Sequence, residues 1–409
     1  MSSDFKKLLN ARFLYTFAVQ MQAVVLGWRI YELLQDPLSL GFIGLTEAVP
    51  AIGLALYAGY LVDRHRPLQI YRSVMFVSLL SGVLVLGEHI FANQLSLFVQ
   101  VGLLYAAAFL TGLARSFAQP AIYASVPRLV ERNELLHATA KMSSAMQIAR
   151  VAGPAVGGLV FGFMGAITSS SMVCILLIAA SISMALIKKD IEAPTAMNRH
   201  ASVKDELLSG VKFVFSHPIL LPALSLDMIS VLFGGVTALL PIFAKEILFI
   251  GPKGLGALRA APAVGATLMS LYLARRDRMK ANAGRWLFSA VAGFGICMIV
   301  FGLSHNYILS LAALVVSGAL DSISMVIRSA AVQLTSPDHM RGKISAVNSI
   351  FIGSSNEIGE FESGIAAKIF GTVPAVYFGG MVCLATVATV AYFSPKLRQL
   401  DLQKLETNT

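Results

Sequence analysis

Residues 44–53 read Gly-Leu-Thr-Glu-Ala-Val-Pro-Ala-Ile-Gly, and 212 positions later residues 256–265 read Gly-Ala-Leu-Arg-Ala-Ala-Pro-Ala-Val-Gly. The glycine, proline and second glycine keep their spacing on apolar ground, while Glu47 is replaced by Arg259. A second set of blocks agrees at an offset of 206: Gly112, Arg115 and Ser116 recur as Gly318, Asp321 and Ser322, then Gly153, Gly158 and Gly165 as Gly359, Gly364 and Gly371. A parallel repeat of about 200 residues in an apolar chain is the mark of a membrane protein built from two similar halves.

Composition agrees. Hydrophobic residues make up 56% of the 409 positions and charged residues 13%, against about 45–50% and 25% in soluble domains. Apolar stretches long enough to span a hydrocarbon core as helix fall near 11–33, 40–62, 68–88, 96–118, 138–162, 167–187, 219–241, 254–274, 285–304, 306–333, 344–367 and 373–394. The expected fold is an all-α membrane protein of twelve transmembrane helices in two pseudo-symmetric six-helix bundles. Most of the 32 Lys and Arg residues sit in the termini and in alternate loops beginning with the N-terminus, whereas Lys245, Lys253 and Lys368 occupy the opposite loops. Positive loops stay cytoplasmic, which puts both termini inside. The first apolar stretch has no small-residue cleavage site and is expected to be a retained helix. The net charge of +10 then reflects topology, and no basic face interleaved with aromatics suggests nucleic acid.

The domains expected are a bundle over 1–187, a cytoplasmic linker over 188–218 and a second bundle with a short tail over 219–409. Within the linker, Val203, Leu207, Leu208, Val211, Val214 and Phe215 follow helical spacing opposite Lys204, Asp205, Glu206 and Lys212. That pattern suits an amphipathic helix on the membrane surface, with Ser202 as its cap. Cys174, Cys297 and Cys383 and the seven histidines show no metal spacing, so no metal and no cofactor is expected.

Three local segments carry a resemblance. Gly59-Tyr-Leu-Val-Asp63-Arg64 after the second stretch, Arg150-Val-Ala-Gly153-Pro154-Ala-Val-Gly157-Gly158 in the fifth, and Gly112-Leu-Ala-Arg115-Ser-Phe117-Ala-Gln-Pro120 at the end of the fourth are similar to signatures of bacterial major facilitator superfamily transporters. The whole chain resembles the branch of enterobactin exporters and macrolide efflux pumps. The resemblance implies an acid–arginine contact between Asp63 and Arg115 at a cytoplasmic gate, with Arg64 beside it, and an antiporter-type motif at Gly153, Pro154, Gly157 and Gly158. Independently of any family, such a glycine and proline run lets a neighbouring helix approach closely and allows a bend. Applying the repeat offsets, Asp63 maps to Arg275 and Arg115 to Asp321, so the second half is expected to hold the same contact with its signs reversed.

Charges within the apolar stretches cost roughly 2.5–3.5 kcal/mol each at a helix centre and should face the protein interior. Glu47 and Arg259 are expected at an outer gate. Asp227, nine residues into the seventh stretch, is the first candidate for a proton-coupling acid. Glu357 and Glu360 share a face beside Asn356, the repeat equivalent of Arg150; with Arg29 these residues form the expected substrate and coupling site. No phosphate loop or nucleophile–base set is present, so the chain is not expected to be an enzyme or to hydrolyse ATP. The expected function is secondary active export of an amphipathic drug or siderophore from the bacterial inner membrane by a monomer, proton-driven, through alternating access. A lysophospholipid flippase or a non-transporting sensor on the same scaffold stays open.

Overall fold

The computed structural model describes residues 2–131, 134–188, 211–273, 281–337 and 341–403. All regular structure among them is helical. The expected linker helix falls largely outside the described residues, as does Arg275; residues 211–216 are helical. The side chains of Asp63 and Glu357 also lie outside them.

The helices are α1 (Ser3–Leu34), α2 (Pro37–Gly53), α3 (Ala55–Arg64), α4 (Pro67–Phe91), α5 (Leu97–Leu129), α6 (Leu135–Ala185), α7 (Leu220–Gly234), α8 (Gly251–Leu273), α9 (Ala283–Leu303), α10 (Tyr307–Thr335), α11 (Arg341–Phe370), α12 (Thr372–Phe393) and the short α13 (Pro395–Arg398). Short helical turns at 237–247, the last of them a π-helix over Phe243–Ile247, connect α7 to α8. Local chemistry sets several starts. Ser2 accepts from the Phe5 N–H, Asp36 from the Leu38 N–H with Pro37 in the first turn, and Asn306 from the N–H groups of Ile308 and Leu309, each satisfying donors that a helix N-terminus leaves open.

Among the described residues seven helical runs are long and apolar enough to cross a membrane, including Leu220–Ile247, and α2 is a shorter apolar helix. The twelve expected stretches map onto the structure unevenly for identifiable reasons. The stretch at 40–62 divides into α2 and α3 at Leu54, four residues after Pro50. Those at 138–162 and 167–187 run together in α6, whose chain turns at Gly165 with φ 86° and ψ 175°. Gly371, the repeat equivalent, has φ 92° and ψ 156° at the start of α12. An L side chain is strained at such a positive φ, which explains why both halves carry glycine there.

The chain forms two compact units, residues 1–197 with 240–260, and residues 198–239 with 261–409. In the first, α1 packs along α6, α4 packs on α5 and α6, and α2 packs on α5. Its core holds Phe5, Leu8, Met21, Tyr71, Met75 and Leu177, all nearly inaccessible. In the second, α9 packs on α10 and α12, and α7 on α11 and α12, around Leu226, Leu287, Ile327 and Cys383. The same pairings recur in each unit, as expected for a repeat.

Ahead of α7, His217 Nδ1 accepts from the N–H groups of Ile219 and Leu220 at 3.3 and 3.2 Å. Only a ring nitrogen without a proton can accept. Burial, followed by the nearby Lys396 charge, pushes the His217 imidazole below its ordinary pKa. The folded state thus favours neutral histidine, and this contribution is present above the unfolded-state pKa of about 6.5 and lost as pH falls below it. Acidifying purified protein from pH 7 to pH 5 should lower its melting temperature, and His217→Asn, which keeps an acceptor, should flatten part of that slope. An identical slope in the variant counts against the cap.

Candidate transport site

In the first unit α2 and α5 run side by side in parallel register. Tyr105 donates to the Ser39 carbonyl at 3.0 Å, a Cβ on Gly112 would collide with the Glu47 backbone, and Arg115 Nη1 donates to Glu47 Oε2 at 3.1 Å. Glu47 and Arg115, expected at different gates, therefore lie at one depth. The reason is register: Ser39 is the third residue of α2 and Tyr105 the ninth of α5, so α5 begins earlier and its Arg115 comes level with Glu47. The pair joins two residues expected at separate outer and cytoplasmic gates. The expected Asp63–Arg115 contact falls on a side chain outside the described residues, and Arg64 stacks on the Tyr60 ring, 4.4 Å from its centroid.

Arg150 is exposed on α6 and lies within electrostatic range of Arg12 and Arg115. Arg12 is 5% exposed, donates through Nη2 to Gln119 Oε1 at 2.6 Å and lies over the Tyr15 ring. Sequence reading missed Arg12, because it stands at the very start of the first apolar stretch and counts there as a loop charge. The motif glycines have close partners. A Cβ at Gly153 would meet Gln20 and the Phe17 carbonyl, one at Gly157 would meet Met21, and one at Gly158 would meet Gly256 and the Pro252 carbonyl. Pro154 lies inside α6, and its carbonyl approaches Gly256. This segment is a close-packing surface for α1 and for residues 252–256. Arg259, half-buried on α8, lies in the same unit.

Arg29 is held by acids. Its Nη2 reaches Glu88 Oε1 at 2.8 Å and Gln100 Oε1 at 3.2 Å, and its Nη1 reaches Glu32 at 2.9 Å. Glu88 is wholly buried and adjoins His89, which bonds Ser170 at 2.9 Å. Glu88 was not singled out in the sequence, since it ends the third apolar stretch, and Arg29 is the centre of a bracing network. Glu88→Gln should lower the stability of purified protein by about 3–5 kcal/mol, the usual result of removing one partner from a buried pair, read as a fall in melting temperature. A shift within error would mean that Glu32 and Gln100 suffice.

In the second unit Asp227 and Arg328 form a buried ion pair between α7 and α10. Asp321 lies one cavity wall away with Ser230 and Ser324. Asp227 and Arg328 are both identifiable as embedded charges in the sequence; their pairing is not, since 101 residues separate them. Asp321 was expected to meet Arg275. Asn356 is exposed and Glu360 half-buried on α11. Among the described residues no cluster of His, Cys, Asp and Glu has metal-binding geometry.

A profile of the transmembrane secretion effector family matches residues 2–409. The chain belongs to this major facilitator superfamily family. Similar proteins include the multidrug efflux pump Tap of Mycolicibacterium fortuitum, 24% identical over 93% of this chain and 92% of that one. The staphyloferrin A transporter of Staphylococcus aureus is 21% identical over 98% of each chain, and the enterobactin exporter EntS of Shigella boydii is 22% identical over 84% of this chain and 80% of its own. Among solved structures, a peptide transporter of the POT family aligns with a TM-score of 0.75 at 10% identity, covering 97% of this chain and 95% of that one. A bacterial homologue of ferroportin in an inward-facing state aligns at 0.71 with 17% identity, covering 97% and 100%. These structures share the fold. The major facilitator chain is a multi-span membrane transporter whose motif glycines pack its helices.

Proposed function

We propose that this transporter exports an amphipathic small molecule, drug or siderophore, from the cytoplasm of a bacterium across its inner membrane by alternating access, with inward proton flow supplying the energy. The observation that carries export is similarity along nearly the whole chain to an efflux pump and to siderophore transporters. Twelve spans, cytoplasmic termini and a monomeric state complete the reading. Proton coupling is supported by Asp227, a carboxylate 6% exposed on a helix that spans the membrane, where charge is costly and a change of protonation is the cheapest response. Arg150 of α6 in the first unit, and Asn356 and Glu360 of α11 in the second, are each proposed to face substrate.

The test is transport by full-length protein in proteoliposomes under an imposed pH gradient, with dyes, siderophores and lysolipids as a panel. Gradient-dependent flux of a dye or siderophore, lost in Asp227→Asn, is the expected result. Flux of lysolipids alone would replace export by lipid flipping, and no gradient-dependent flux of any compound would remove the antiport reading.

A further inference from the structure

In the second unit a small cavity lies between α7, α9 and α10, with Asp227, Ser230, Phe294, Asp321 and Ser324 in its wall. Its free space is about 10 Å³ measured at the centre of a water molecule, room for a single water and nothing larger. Three features point to an occupant. Two carboxylates share the cavity and its edge with one guanidinium, Arg328, which is already paired with Asp227. The hydroxyl of Ser324, 2% exposed, has no hydrogen-bond partner, and that of Ser230, 3% exposed, has only the weakly bonding Cys383 thiol beside it. Arg328 Nε, also buried, has none either.

The other surrounding elements bring no compensating charge among the described residues. From α9 come Ala290, Val291 and Phe294. From α11, Gly359 and Ser363 face α7. From α12 comes the Cys383 thiol, which donates to the Val291 carbonyl, and from α8 Ser270 bonds Ser322. The ledger is two negative charges against one positive in a narrow, mostly apolar pocket. An anion is repelled by the carboxylates. A divalent cation would overshoot the deficit and find the fixed positive charge of Arg328 beside it. One added positive charge balances the site, and hydroxyls able both to donate and to accept are what a single trapped water requires.

We propose that Asp227 and Asp321, with Arg328 beside them, form a proton-binding site that holds one proton shared between the two carboxylates and one water held by Ser230 and Ser324. The proton adds to a carboxylate oxygen and leaves from it, with no other reactant. The site deepens the proton-coupled reading above and rests on it only for its use in transport. Asp321 becomes a functional residue in its own right, and the site is too small to admit the substrate.

The experiment is infrared difference spectroscopy of the full chain in lipid bilayers across a pH titration, following the carbonyl stretch of protonated carboxyl groups and its shift in deuterium oxide. The wild type should show a titrating carboxyl band. Asp227→Asn and Asp321→Asn should each remove the same component, and the double variant should remove no more than either alone, because one proton is shared. Ser324→Ala, which keeps every charge, should shift the band without removing it. A wild-type spectrum without a titrating carboxyl, a band unchanged in Asp321→Asn, or strictly additive losses would overturn the proposal. So would suppression of the band by sodium chloride but not by N-methylglucamine chloride, since sodium would then fill the site. A titrating band without gradient-driven flux in vesicles would leave the site standing and remove the antiport reading; flux without the band would do the reverse.

Discussion

Arg328→Gln should be the most damaging single substitution in the second unit, costing about 3–5 kcal/mol. The guanidinium is the one cation among the described residues lining or pairing with the Asp227 and Asp321 carboxylates, and its removal leaves the buried Asp227 and the half-buried Asp321 side by side without it. Asp227→Asn should cost less, because Arg328 keeps Asp321 as a neighbour. The combination Arg328→Gln with Asp227→Asn and Asp321→Asn should recover much of the loss, since a neutral hydrogen-bonding set demands no compensating charge. Melting curves of the purified variants decide the matter. Equal melting temperatures for Arg328→Gln and wild type would mean that the aspartates are stabilised by something other than this arginine.

The second large effect is expected at the helix crossings of the repeat. A Cβ at Gly112 would run into the backbone of Glu47, and one at Gly318 into the backbone of Pro262. Backbone cannot swing aside as a side chain can, so Gly112→Val and Gly318→Val must each push two helices apart. Each should cost about 1–3 kcal/mol or more and sharply reduce the yield of folded transporter. Gly53→Val is the control, because a Cβ there meets nothing within 4 Å. If the control lost as much as the other two, propensity rather than helix contact would be the cause.

These crossings show what could be read from residues alone. Gly112 and Gly318, Gly165 and Gly371, and Gly256 and Gly265 were visible as repeated glycines, and the structure gives all six a tight contact or a positive φ, Gly165 and Gly371 for the backbone and Gly112, Gly318, Gly256 and Gly265 for the packing. Repetition signals such positions because the constraint on the backbone is the same in both halves. Gly53 shows the limit: it matches Gly265 in the pattern, yet it faces open space while Gly265 lies against the Val315 backbone. The membrane character and the embedded Asp227 were equally legible, since each follows from composition and position along one helix. Partners were not. Arg115 meets Glu47 because α5 starts earlier than α2, and Arg29 meets Glu88 across 59 residues; offsets between helices leave no trace in either strand of sequence taken singly. Arg12 and Glu88 were overlooked because they stand at the edges of apolar stretches, where a charge reads as solvated although the folded chain buries it.

Gly165 and Gly371 join consecutive helices without a loop between them. Each residue advances a helix by about 100°, so the joint sets the phase of everything that follows. Inserting or deleting one residue there would rotate the next helix by more than a quarter turn, carrying Leu177 in one unit and Cys383 in the other, both fully buried, out of their cores. Length change in this chain is therefore tolerated in its polar connections and forbidden at these two points, which act as fixed phase locks for the last helix of each repeat.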